Sequence, residues 1–184
     1  HVTEFNGHKA WIKTVPPEKQ ILSFCAKKKI AARLSPIAIA RPTPTCGLGI
    51  LSLEAARLKD LKKLGAPVPE ILKESKDYLI IEDRGKNLEK VINRSPTDKR
   101  FPFMLKAIES IKNLHALDTA HGRAMLKDMV IDDAGNISFI DLAEDPLSLM
   151  NIQEAKARDW LMFLFSALPF CSASEQKELV PLVK

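Results

Sequence analysis

The sequence predicts a two-lobed α+β fold, with a small antiparallel sheet lobe first and a mostly helical lobe after it. Two observations lead there. The elements run β-hairpin, helix, two strands, then helices interrupted by one short hairpin, so strands and helices are segregated along the chain. The chain has 184 residues, 46% hydrophobic and 28% charged, enough for one compact domain or two small lobes sharing a cleft. The turn residues Glu82 to Gly85 separate the halves, so the expected lobes are residues 1–84 and 85–184, hinged there.

Val2 to Phe5 and Lys9 to Val15 read as strands around Asn6-Gly7, a pair that tolerates the positive φ of a type I′ turn. Pro16-Pro17 stops the second strand. A basic, weakly helical stretch follows from Glu18 to Arg33, including Lys27, Lys28 and Lys29, and gives way to a Pro-rich connection ending at Arg41-Pro42-Thr43-Pro44. Such a run is ordinarily a solvated face; its functional alternative is contact with an anionic substrate or a membrane surface. Ala55, Leu58, Leu61 and Leu64 recur at helical spacing after Ser52, and Gly65 followed by Pro67 ends that helix. Glu54 lies one turn before Leu58, beside the buried stripe.

Val68 to Leu72 and Tyr78 to Ile81 are predicted strands, split by the polar Lys73–Asp77 segment. A polar helix is expected from Asn87, then a long helix marked by Met104, Ile108, Ile111 and His115. His115 falls on its apolar face, where a core histidine with a satisfied hydrogen bond is the simpler reading than a catalytic one. Met129 to Asp132 and Ile137 to Ile140 form a second predicted hairpin around Asp133-Ala134-Gly135-Asn136. Ala155 to Leu168 is an apolar helix, followed by a short helical tail from Ser174.

Composition narrows the function classes. Lys and Arg number 28 against 23 Asp and Glu, a formal charge of +5, which favours an anionic partner without naming one. The basic residues are dispersed and only 6% of residues are aromatic, so a nucleic-acid surface with stacking platforms is not expected. Cys25, Cys46 and Cys171 match neither a disulfide framework nor a zinc site, so free thiols in a reducing, cytoplasmic setting are expected. The longest apolar stretch, Trp160 to Leu168, falls well short of the ~20 residues that span a bilayer.

The chemistry concentrates at the second hairpin. A hairpin returns the chain to its starting end, so Asp128 and Asp141, which flank it, are brought together. Such a pair can hold a divalent cation, and magnesium favours a few carboxylates completed by substrate phosphate oxygens and water.

Several stretches resemble the protein-kinase fold. Ala10-Trp11-Ile12-Lys13 looks like the V-A-I-K strand whose Lys contacts nucleotide phosphates, and Glu54 is placed like its ion-pair partner. His121-Gly122-Arg123-Ala124-Met125-Leu126-Lys127-Asp128 resembles the H-G-D-x-x-x-x-N catalytic loop of aminoglycoside phosphotransferases and kinase-like sugar kinases. Asp141-Leu142-Ala143 resembles the D-F-G element, and Asp159 looks like the residue that braces the catalytic loop from below. Arg41-Pro42-Thr43-Pro44, Glu54-Ala55-Ala56-Arg57-Leu58 and Leu64 through Glu70 are most similar to small bacterial lipopolysaccharide-core sugar kinases, the Kdo and heptose kinases, and their toluene-tolerance relatives. In order, the matching positions span about Lys13 to Asp159.

The resemblance implies a kinase-like fold with a reduced helical lobe and an ATP- and Mg²⁺-dependent phosphotransferase acting on a sugar hydroxyl of the lipopolysaccharide core. The setting it implies is the cytoplasm of a Gram-negative bacterium, with peripheral contact at the inner membrane. Lys13, Glu54 and Asp141 would serve the nucleotide, Asp128 and Asp141 the metal, and Arg123 and Asp128 the catalytic position. Two departures define the alternative. Arg123 stands where the resemblance expects the acidic residue that takes the acceptor's proton. Only Gly7 lies among the twelve residues before Lys13, so either a Gly-rich phosphate loop lies upstream of His1 or the grip on ATP is incomplete. The alternative is a pseudokinase acting as a binding or regulatory module, with Arg123 salt-bridged to Asp128 or Asp141 and occupying the metal position.

Overall fold

The computed structural model describes residues 2–15, 26 and 49–183. The helix expected over Glu18 to Arg33 with its Lys27–Lys29 run, the connection ending in Arg41-Pro42-Thr43-Pro44, and Cys25 and Cys46 lie outside them. The described residues form a mixed α+β structure, antiparallel sheet first and helices later.

Strands β1 (Val2–Phe5) and β2 (His8–Thr14) form the first hairpin, with Phe5 opposite His8. Asn6 and Gly7 both take positive φ, 52° and 78°, as a type I′ turn requires. Helix α1 (Gly49–Lys63) follows, burying Leu51, Ala55, Leu58 and Leu61. It begins earlier than the Ser52 start the spacing suggests. Its end is a Schellman closure: Gly65 N–H donates to the Lys62 carbonyl and Ala66 N–H to that of Leu61, with Gly65 left-handed at φ 82°.

Strands β3 (Ile71–Glu74) and β4 (Tyr78–Glu82) complete a four-stranded antiparallel sheet of order β1-β2-β4-β3. The expected strand at Val68 begins instead at Ile71. Pro67 and Pro69 have no N–H to give a ladder, so regular pairing starts only beyond them. The displaced segment has another use: the Pro67 carbonyl accepts from Phe139 N–H at 2.8 Å, tying the first half of the chain to the second.

The second sheet contains β5 (Lys86–Asn87), β6 (Met129–Ile131) and β7 (Ile137–Phe139), paired antiparallel in that order. Only its β6–β7 hairpin is predicted, because a two-residue strand leaves no periodicity to read. Gly85 explains how β5 fits. At φ 125° its backbone lies so close to β6 that a Cβ would stand 2.3 Å from the Ile131 carbonyl oxygen. Any side chain there would push this turn away from the hairpin.

Helix α2 (Leu88–Arg94) is capped by Asn87, whose side chain accepts from Lys90 N–H. Helix α3 (Phe101–Ala116) buries Met104, Ala107, Ile108, Ile111 and Leu114. Helices α4 (Ile152–Ala167) and α5 (Ala173–Leu179) each start with a reciprocal capping box, Asn151 with Glu154 and Ser172 with Glu175. One apolar cluster joins both halves of the chain, from Leu58 and Val68 through Leu79 and Met104 to Phe139 and Phe163. Among the described residues, no helix is long and apolar enough to cross a membrane. Cys171 is a free, half-buried thiol.

Candidate functional site

Strand alternation puts Trp11 and Lys13, two residues apart on β2, on the same side of the sheet. Both line a cleft of about 300 Å³ whose walls also include Ile81, the Glu82–Gly85 turn, Val130, Ile140, Asp128 and Asp141. The Lys13 amine is held by the carboxylate of Glu54 on α1, itself buried at 2% exposure. The amine also lies 3.5 Å from Asp141 Oδ1. One cation from the first sheet therefore reaches a helix on one side and the second hairpin on the other.

The β6–β7 hairpin brings Asp128 and Asp141 together. Ile140 N–H donates to the Asp128 carbonyl at 2.9 Å, closing the hairpin at the end where both acids sit. Asp141 has φ 63°, a left-handed conformation that a short polar side chain tolerates better than most. The chain turns sharply there as it leaves β7.

Arg123 occupies the space between the two acids. Its Nε donates to Asp128 Oδ2 at 3.1 Å, and its Nη2 contacts Asp128 Oδ1 at 3.5 Å and Asp141 Oδ2 at 2.8 Å. Nη1 lies 3.6 Å from Glu144 Oε1. The guanidinium is thus folded inward among three carboxylates rather than turned to solvent.

The loop carrying Arg123 is fixed from below by Asp159 on α4. Its carboxylate accepts from the N–H groups of His121 at 2.7 Å, Gly122 at 2.8 Å and Ala124 at 3.3 Å, and contacts His115 Nε2 at 3.1 Å. His115 is therefore a core histidine with its partner, edge-on to Trp160. His121 accepts from Arg123 N–H through Nδ1 at 3.2 Å and faces the Ile140 carbonyl through Nε2 at 2.9 Å. That pattern fits a neutral ring protonated on Nε2. Complete burial pushes its pKa down, in the same sense, with Asp159 opposing and Arg57 adding to the fall. Gly122, at φ 97°, has no room for a Cβ, which would stand 2.8 Å from Pro146.

A second layer of charge lies behind this loop. Arg57 on α1 donates to the carbonyls of Ala120 at 2.7 Å and His121 at 2.8 Å, to that of Leu142 at 3.5 Å, and to that of Glu144. Arg158, 2% exposed, pairs with Glu144 Oε2 at 2.9 Å and donates to the Gly122 carbonyl. Glu144 therefore stands between Arg123 and Arg158.

The electrostatics differ sharply between the two acids. Burial pushes Asp128 up to about 6, against the pull of Arg123 and with help from the charge on Asp141. Asp141 is held below its ordinary value: burial acts upward, but Lys13 and Arg123 together outweigh it. For Arg123, burial acts downward and the surrounding carboxylates more than compensate, raising its pKa. At neutral pH all three groups are charged.

A divalent cation would have to displace side-chain cations already paired with both acids. Both oxygens of Asp128 face Arg123, and those of Asp141 face Arg123 and Lys13. Among the described residues, no cluster of three or more His, Cys, Asp or Glu side chains could hold a metal. Freeing both acids for an ion would require the Arg123 guanidinium to swing away from them.

The residues singled out from sequence, Lys13, Glu54, Arg123, Asp128, Asp141 and Asp159, form one connected network. Three more belong to it, Arg57, Glu144 and Arg158, and Trp11 lines the cleft beside Lys13. Trp11 was readable in principle, since it shares strand parity with Lys13. The carbonyl partners of Arg57 and the burial of Glu144 and Arg158 depend on three separate segments meeting and leave no local signal. Neither a family model nor a curated protein matches the chain.

Proposed function

We propose that this chain is a kinase-like domain that takes a nucleotide into the cleft between its two lobes, and that Arg123 makes it a pseudokinase, a binding or regulatory module. The observation that carries this reading is Lys13, gripped by Glu54 and 3.5 Å from Asp141 across the cleft. An ammonium held this way is positioned for phosphate oxygens. Beside it, Trp11, Ile81, Val130 and Ile140 supply the apolar wall that a planar base would need. The inward guanidinium favours the non-catalytic form, because it engages both acids that phosphoryl transfer would require free.

A second reading keeps the enzyme: an ATP- and Mg²⁺-dependent phosphotransferase acting on a sugar hydroxyl of the lipopolysaccharide core, at the cytoplasmic face of the inner membrane. The observation favouring it is the loop brace, since Asp159 holds three loop amides as a positioned active-site loop would need. Phosphoryl transfer relies mainly on positioning and charge neutralisation. A missing general base typically costs 10²–10⁴-fold, so turnover would be slow rather than absent.

Calorimetric titration with ATP tests the shared core of both readings. Saturable binding is expected, weakened about tenfold or more in Lys13→Ala, a loss of about 1.4 kcal/mol. No heat of binding to the wild-type chain would contradict both. Slow transfer of the γ-phosphoryl that vanishes in Asp141→Ala would decide for the enzyme, and its absence for the module.

A further inference from the structure

We propose that the cleft binds its nucleotide polyphosphate without a divalent cation, because Arg123 already supplies the neutralisation that a metal would bring. The inference rests on the nucleotide reading above and specifies the ionic form of the ligand. A polyphosphate approaching Asp128 and Asp141 would be repelled by two carboxylates, and a bridging metal ordinarily removes that repulsion. Here the repulsion is removed from within. Arg123 spans both acids, at 3.1 Å and 2.8 Å, and Lys13 takes the remaining oxygen of Asp141.

Arg123 is also held from behind. Glu144 stands 3.6 Å away and is anchored in turn by Arg158 at 2.9 Å, so the guanidinium has partners on every side where a carboxylate faces it. Guanidinium keeps its charge over the whole working pH range. A divalent ion placed between the same two acids would meet this fixed positive charge at close range. Away from Arg123 the cleft carries side chains of both signs. Lys90 and Lys127 line it beside Lys13, Asp83 lines it as well, and Arg84 is balanced by Glu82 at 3.3 Å, so the lysine amines are the groups left to meet polyphosphate oxygens. The metal-free ligand carries more negative charge than its magnesium complex, and these amines complement it.

The test uses the intact chain and ATP as the probe, titrated once with excess chelator and once with excess Mg²⁺. Wild-type dissociation constants within about threefold of each other are expected. Arg123→Ala should weaken binding in chelator about tenfold or more and make it recover with Mg²⁺, as the two acids become free for the ion. Wild-type affinity that rises more than about threefold with Mg²⁺ would overturn the proposal while leaving the nucleotide reading intact. Absence of ATP binding in both conditions would remove the nucleotide reading and this proposal with it. The wild-type comparison decides the matter even if Arg123→Ala does not fold.

Discussion

At Asp128 two opposing influences meet, and the pH dependence of stability reports which one dominates. Its carboxylate is 2% exposed and touches Arg123, yet burial together with the charge on Asp141 lifts its pKa to about 6 from an ordinary 3.8. The fold therefore holds a proton on Asp128 between about pH 4 and pH 6, where the unfolded chain has lost it. The stability this group contributes is complete below about pH 4 and is lost as pH rises through 6. A tenfold change in proton affinity corresponds to about 1.4 kcal/mol. The stability of the wild type relative to Asp128→Asn should therefore fall by about 2 kcal/mol between pH 4 and pH 7, measured by urea denaturation. A flat or rising difference would mean that the pull of Arg123 and Lys127 exceeds burial. Sequence alone identifies Arg123 as a charge inversion in its loop, but not the direction of its side chain. That direction depends on Asp128, Asp141 and Glu144 converging from two segments, which no local pattern encodes.

Among elements, α1 has the widest reach, because two of its residues act on opposite sides of the site. Glu54 grips Lys13 on β2, and one turn later Arg57 ties the backbone at Ala120, His121, Leu142 and Glu144. Helical spacing makes the buried stripe and the place of Glu54 beside it readable from sequence. Arg57 reads as an ordinary charged position there, since its partners are backbone carbonyls far along the chain. Arg57→Met keeps much of the side-chain volume and leaves those carbonyls without their donor, at about 1–3 kcal/mol for each that stays buried and unpaired. A loss of about 3 kcal/mol or more in denaturant stability is expected, partly restored in Arg57→Lys. A change below about 0.5 kcal/mol would show that the helix is held in place by its apolar face alone. The β6–β7 hairpin shows the converse. Its acidic ends meet because any hairpin returns to its start, so the Asp128–Asp141 pair is legible without tertiary information. Strand β5 is not, because its place in the sheet depends on the close approach of Gly85 to Ile131.

For the whole molecule, the order of sheet, helix and hairpin is legible because hydrophobic periodicity and turn residues mark each element. The shift of β3 to Ile71 follows from backbone donors: apolar Val68 fits a strand, but the prolines on either side of it have no N–H to give a ladder. The cleft itself is a property of the assembled chain. It is lined by β2, the Glu82–Gly85 turn and the second hairpin, and a single apolar cluster beneath joins the two halves. Trp11 gives that assembly a built-in reporter, since it is one of two tryptophans in the chain and the other, Trp160, packs against His115 and Phe163. In Trp160→Phe, with Trp11 as the sole indole, titration with ATP should change the indole emission saturably, with a midpoint matching calorimetry, and Lys13→Ala should shift that midpoint upward. Emission that stays constant while ATP binds would put the nucleotide elsewhere on the molecule and contradict the cleft as its site.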